Sequence, residues 1–138
     1  MASCVSTLQD DNCVNGVTIF QAIIDGIELV PKQRMTGRSR FLKRSQRYLQ
    51  TKKALAWEMK KRNERKKPYE GKVILTCSIH LTHRRRVDLD NAVGAVMDAL
   101  QYAGIIQDDR QVVAFTDCWL YQKSPKPRIA VKLQSLFS

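Results

Sequence analysis

Residues 72–104, KVILTCSIHLTHRRRVDLDNAVGAVMDALQYAG, decide the fold. In the first third, Val73, Leu75, Cys77, Ile79 and Leu81 recur at every second position. That is the period of a strand with one buried face. From Asp88 to Ala103 the period lengthens. Leu89, Ala92, Val93, Val96, Met97 and Leu100 now fall at helical spacing, and Gly104 stands where a helix C-terminal glycine belongs. The three arginines 84–86 separate the two patterns. A strand followed by an amphipathic helix needs further strands to cover the helix stripe.

The flanks supply them. Val17–Ile24 is rich in branched and aromatic residues and reads as a strand. Asp25-Gly26 is a turn signal, and Ile27–Val30 reads as a short strand or extended piece before Pro31. Pro31–Arg44 is a basic loop. Ser45–Lys66 reads as a helix with Tyr48, Leu49, Leu55, Ala56 and Met59 on its apolar side. Trp57 is expected to pack there rather than stack on a base. Gln111–Gln122 and Arg128–Leu136 read as two strands joined into a hairpin through Ser124–Pro127. The order predicts an α/β (α+β) fold: a mixed sheet of about four strands with two main helices packed against it. Residues 1–15 are polar and without period, and read as a loose N-terminal arm ahead of a single domain over 16–138.

At 138 residues and 15.9 kDa the chain suits one domain. With 43% hydrophobic residues it can form a core. No apolar run approaches the roughly 18 residues of a spanning helix. Asp10 and Asp11 stand where a signal peptide would need a basic stretch leading into an apolar one. Cys4, Cys13, Cys77 and Cys118 form no Cys-x-x-Cys pair, which fits a reducing cytoplasm; Cys77 and Cys118 are expected as small buried hydrophobes.

The net charge of +11 is unevenly spread. Between Lys32 and Lys72 there are 16 basic residues against Glu58, Glu64 and Glu70, while the remainder holds 8 basic and 10 acidic residues. A block this positive draws a polyanion by displacing condensed counterions, so nucleic acid is the favoured partner. A solvated helix face and an acidic membrane surface are the weaker readings. Within the block Lys32, Arg34, Arg38, Arg40, Lys43 and Arg44 crowd one loop. Guanidinium forks at that density suit phosphate oxygens. Arg84, Arg85 and Arg86 extend the same chemistry.

Acids gather at Asp88-Leu89-Asp90-Asn91 and at Asp108-Asp109. Leu89 is expected to point into the core, so the flanking carboxylates of an extended junction project outward on one side together. Two such charges stay ionised only with a compensating cation or helix N-terminus. Mg²⁺ is the natural cation, taking hard oxygen ligands while keeping waters for exchange. Asp108 or Asp109 would complete the cluster. The intervening helix is about 24 Å long, however, so the chain must carry that pair back to the helix start. An N-cap aspartate and an Asp-Asp turn are the plainer explanations. His80 and His83 face opposite sides of a strand, which disfavours zinc. The sequence contains no P-loop, dinucleotide fingerprint or Gly-x-Ser-x-Gly.

The run RRRVDLDNAVGAVMDALQYAGIIQDDRQVV resembles the signature of the RusA family of Holliday junction resolvases. Asp88, Asp90, Asn91, Asp98-Ala99-Leu100, Gly104 and Asp108-Asp109 carry the resemblance, and the Pro31-Lys32-x-Arg34 loop is similar to the family's N-terminal part. It spans about Val17 to the C-terminus. It implies a homodimeric, Mg²⁺-dependent endonuclease of DNA recombination and repair that cuts four-way junctions symmetrically. The family's essential aspartates fall on Asp88, Asp90 and Asp109, as catalytic and metal-binding residues. A localisation in the cytoplasm follows, nucleoid-associated or from a phage or prophage. The family also has a catalytic lysine four residues after the second aspartate. Here that position is Gly94, with Arg86 or Arg110 as substitute cations. A junction-binding homologue with weakened or lost catalysis is therefore the alternative. An RNA-associated basic protein is a third reading, for which the sequence offers no stacked aromatic motif.

Overall fold

The computed structural model describes residues 16–30 and 43–136. Its elements are β1 (Thr18–Asp25), α1 (Lys43–Arg62), β2 (Val73–His80), α2 (Leu89–Tyr102), β3 (Val112–Phe115), β4 (Trp119–Tyr121) and β5 (Arg128–Ser135). The arm over 1–15 and the loop bearing Lys32, Arg34, Arg38 and Arg40 lie outside the described residues.

The five strands form one mixed sheet in the order β1-β5-β2-β3, with β4 also paired to β2. β5 runs antiparallel to both β1 and β2. β3 and β4 run parallel to β2 and share its outer edge, β3 beside Val73–Leu75 and β4 beside Ser78–His80. Five strands thus occupy four positions. The apolar rows Phe20/Ala22/Ile24, Leu75/Cys77/Ile79 and Ile129/Val131/Leu133 are buried in one cluster. The same cluster includes Leu55 and Met59 of α1 and Val93, Val96 and Leu100 of α2. Both helices therefore cover one face of the sheet. The other face carries Gln21, Ile23, Thr76, Ser78, His80 and Lys132, all exposed or half-exposed.

The expected hairpin is open in the middle. The chain does reverse between β4 and β5, but β2 lies between them, and His80 is in register with both Tyr121 and Arg128. The 122–127 segment crosses over the end of β2. It is tied there by Ser124 N–H to Leu81 O (2.9 Å) and Gly26 N–H to Pro127 O (3.1 Å). Turn residues show that a chain reverses; they do not show what it straddles.

Other expectations shift as well. Residues 27–30 form no strand, and α1 ends at Arg62 instead of Lys66. Trp57 is 61% exposed, and Leu89 is 41% exposed instead of core-facing. The long strand over 111–122 breaks at Thr116–Cys118, where Asp117 takes φ +48. Cys77 is buried as expected and Cys118 is only partly so; both thiols are free.

α1 and α2 are joined by Tyr48, whose hydroxyl donates a hydrogen bond to Asp98 Oδ2. Burial, reinforced by that carboxylate, pushes the Tyr48 phenol well above its ordinary range. Asp98 of the 98–100 signature thereby links the two helices.

Candidate active site at the start of helix α2

β2, α2 and β3 form a parallel strand–helix–strand unit. Such a crossover fixes polarity: the helix starts where the first strand ends, and returns to where both strands begin. Asp88 and Asp90 consequently sit at the carboxyl end of β2. That is the end at which sheets with parallel strands bind ligands.

Asp88 is the N-cap residue of α2, with φ −81 and ψ 139, yet its side chain makes no capping hydrogen bond. Asp90 lies in the first helical turn. Both are exposed, as is Asn91. The helix begins at Leu89, so the same-side spacing of an extended strand does not govern this pair. What compensates their charge is the positive end of the helix dipole.

The arginine loop is fixed in front of them. Glu28 accepts from Thr82 N–H at 3.0 Å and from the Thr82 hydroxyl. Arg85 N–H donates to His83 Nδ1 at 3.2 Å, and the Gln122 amide donates to the Arg85 carbonyl. Arg84, Arg85 and Arg86 project exposed from this backbone. Arg85 and Arg86 line a cavity of about 570 Å³ together with Arg47 and Thr51 of α1, and Val87 carries the wall up to Asp88. Lys43, at the start of α1, is exposed, and Arg44 follows it in the helix.

Asp108 and Asp109 stand at the other end. α2 closes at Gly104, which takes φ +77. Gly104 N–H donates to Gln101 O (3.0 Å) and Ile105 N–H to Leu100 O (3.1 Å), a pairing that the left-handed glycine permits. Asp108 caps the 3₁₀ turn Asp109–Gln111, accepting from Arg110 N–H at 2.9 Å. The Arg110 guanidinium donates to Asp108 Oδ2 through Nε (3.1 Å) and Nη2 (2.8 Å). Chiefly these side-chain bonds hold the Asp108 carboxyl down to about 2. Asp109 N–H donates to the Gln101 side chain at 3.1 Å, in the last turn of α2. From Asp90 to Gln101 the helix rises about 16 Å.

One copy of the chain therefore does not bring Asp109 to Asp88 and Asp90. Among the described residues no three His, Cys, Asp or Glu side chains form a cluster able to hold a metal. Gly94 is buried in α2 and contributes no cation.

Gln111 escaped the sequence reading. Its Oε1 accepts from Gln107 N–H (2.7 Å) and Asp108 N–H (3.0 Å), and its Nε2 donates to Tyr69 O (2.7 Å) and Gly71 O (2.8 Å). It holds the Asp108-Asp109 turn to the start of β2. An Asp-x-x-Gln capping box over 108–111 is the signal that would have found it.

A basic α+β protein with uncapped carboxylates beside an arginine loop belongs to the class that engages phosphate-bearing polymers. The comparison with known families is specific within that class: the family model described as Endodeoxyribonuclease RusA matches residues 27–134. The chain belongs to the RusA endodeoxyribonuclease family, whose members are Holliday junction-resolving endonucleases using a divalent metal. No curated protein matches the chain. No helix among the described residues is long and apolar enough to cross a membrane.

Proposed function

We propose that the chain is a Mg²⁺-dependent, structure-selective endonuclease that acts on four-way DNA junctions as a homodimer. The observation that carries this reading is the pair Asp88 and Asp90, exposed at the positive end of α2, with the Asp88 side chain unused as a cap. The donor set fits the ion, because Mg²⁺ is commonly held by one or two carboxylates together with substrate phosphate oxygens. When bound, the ion supplies an activated water and neutralises charge on the phosphate. Arg85, Arg86 and Arg47 along the adjoining cavity bind and orient the DNA backbone without reading its sequence.

Asp109 enters from a second copy in this reading. Two copies related by a two-fold axis, with their α2 helices antiparallel, bring the end of one helix to the start of the other. Each of two sites then draws Asp88 and Asp90 from one chain and Asp109 from the other, and a two-fold junction meets both sites.

Arg86 is the favoured substitute for the family lysine. It lines the cavity two residues before Asp88, whereas Arg110 is engaged by Asp108 at the far end of α2. The buried Gly94 keeps one other reading in play, a junction-binding homologue with weakened catalysis.

The test is a synthetic four-way junction incubated with the full chain, with and without Mg²⁺. Paired symmetric cuts that need Mg²⁺ and vanish in Asp90→Asn are expected. Salt-dependent binding with intact DNA at high protein and Mg²⁺ would favour the weakened homologue.

A further inference from the structure

The sheet face opposite the helices carries aromatic rings that the nuclease chemistry does not use. Trp119 and Tyr121 are 56% and 43% exposed. Their rings lie 6.4 Å apart at 21°, and Tyr121 stacks on His80 at 4.6 Å and 13°. Three nearly parallel rings thus form a short ladder open to solvent.

The edge strand beside this face is bulged twice. From Val73 to Ser78 β2 takes five steps, while its partners take seven from Val112 to Trp119. One extra residue lies opposite Val73–Ile74 and one between the Leu75–Phe115 and Ser78–Trp119 pairs. Two insertions cancel in parity, so Trp119 and Tyr121 share the side of Ser78 and His80, opposite that of Val73 and Val112.

We propose that this open face, through Trp119, Tyr121 and His80, is a stacking platform for unpaired bases of single-stranded DNA. Parallel exposed rings match the π-faces of splayed bases, which a duplex keeps covered. A concavity of about 310 Å³ adjoins the ladder, lined by Gln21, Thr76, Ser78, Lys132 and, on its acidic side, Asp117. It offers hydrogen-bonding groups for base edges and an ammonium for the backbone. Lys123 and Lys126 lie on the exposed crossover just beyond Tyr121, and Arg128, paired with Asp25, is in register with His80. Cations around aromatic rings are the composition of single-strand-binding surfaces. The inference does not depend on the metal site.

The chain has two tryptophans, and Trp57→Phe leaves Trp119 as the only one, excited selectively over the tyrosines. Full-length protein of this background is titrated, in EDTA, with an oligothymidylate and with a blunt duplex of equal length. Quenching of Trp119 by the oligomer but not by the duplex is expected. By anisotropy of a labelled oligomer or duplex, Trp119→Ala and Tyr121→Ala should each weaken oligomer binding about tenfold and leave duplex binding unchanged. Trp119→Phe, which keeps a ring, should restore most of the affinity. Equal quenching by duplex, or unaltered oligomer affinity in both alanine variants, overturns the proposal. So does a dimer that dissociates in those variants while oligomer affinity holds, because the ladder would then be a contact between copies. Cleavage is not a readout, so failure of the nuclease reading is seen separately.

Discussion

Asp90 and Asp109 are tied to opposite ends of one helix: Asp90 lies in the first turn of α2, and the Asp109 amide is bonded to Gln101 in its last. A parallel strand–helix–strand crossover enforces the separation, since the residue that opens β3 must lie where β2 begins. Any ion shared by these carboxylates therefore requires two chains.

Mixing variants tests that requirement. Asp90→Asn and Asp109→Asn are each expected to be inactive alone. If the site is shared between copies, a mixed dimer holds one site with neither substitution and one with both. Co-refolded or co-expressed mixtures should then recover nicking of one junction strand, at up to roughly half the dimers by random assortment, and should not recover paired cutting. A site closed within one chain gives no recovery, because each site in the mixture keeps one substitution. Gel analysis of nicked against doubly cut junctions separates the two outcomes.

Arg86→Ala and Arg110→Ala should part company. Arg86 lines the cavity beside Asp88 and is free to meet a phosphate, whereas Arg110 is committed to Asp108. Loss of Arg86 should lower junction cleavage by about a hundredfold, as for loss of one donor to developing charge. It should also make the plot of log affinity against log salt shallower by about 0.9. Arg110→Ala should change cleavage far less while releasing the Asp108 carboxyl toward its usual range, measurable by NMR titration.

The alternation Val73 to Leu81 and the stripe Ala92 to Leu100 were plain in the sequence because each element buries one face against a single core. The capping glycine was plain because only glycine readily takes the conformation of residue 104. Placement was harder. Ser124–Pro127 shows a reversal whatever strand it spans, and Leu89 belongs to the apolar count although it overhangs the helix end. The acidic residues were legible as types. Their distribution over the ends of α2 depends on strand direction, which periodicity does not encode. The Trp119–Tyr121–His80 ladder depends on which residues of β2 the edge strand lies beside, a long-range pairing that local pattern does not encode.

Gln111→Leu should cost about 1–3 kcal/mol of stability, the scale for leaving buried or half-buried polar partners unmet. Its amide serves two backbone N–H groups and two carbonyls across 40 residues or more of chain for Tyr69 and Gly71. The turn that carries Asp109 should loosen with it. Urea unfolding should show the loss, and amide exchange should accelerate at Gln107 and Asp108 ahead of the α2 core. A stable variant with unaltered exchange at those positions would mean that the turn is held by Asp108 and Arg110 alone.

Tyr48→Phe should destabilise the fold near neutrality by about 1–2 kcal/mol, because it removes a buried donor to Asp98. The pH dependence has a definite sign. The phenol titrates near 10 in the unfolded chain, and in the folded protein burial and Asp98 raise it above that value. The folded state thus holds the proton more firmly, so the Tyr48 contribution is whole below about pH 10 and falls as the pH rises beyond it. The buried Cys77 thiol, raised chiefly by burial, adds a loss of the same sign. That loss is common to wild type and variant and cancels in their difference. Thermal midpoints measured from pH 8 to pH 11 should therefore converge above pH 10, the wild type descending toward Tyr48→Phe. Curves that stay parallel across this range would show that the phenol titrates alike folded and unfolded, and that its bond to Asp98 does not tie α1 to α2.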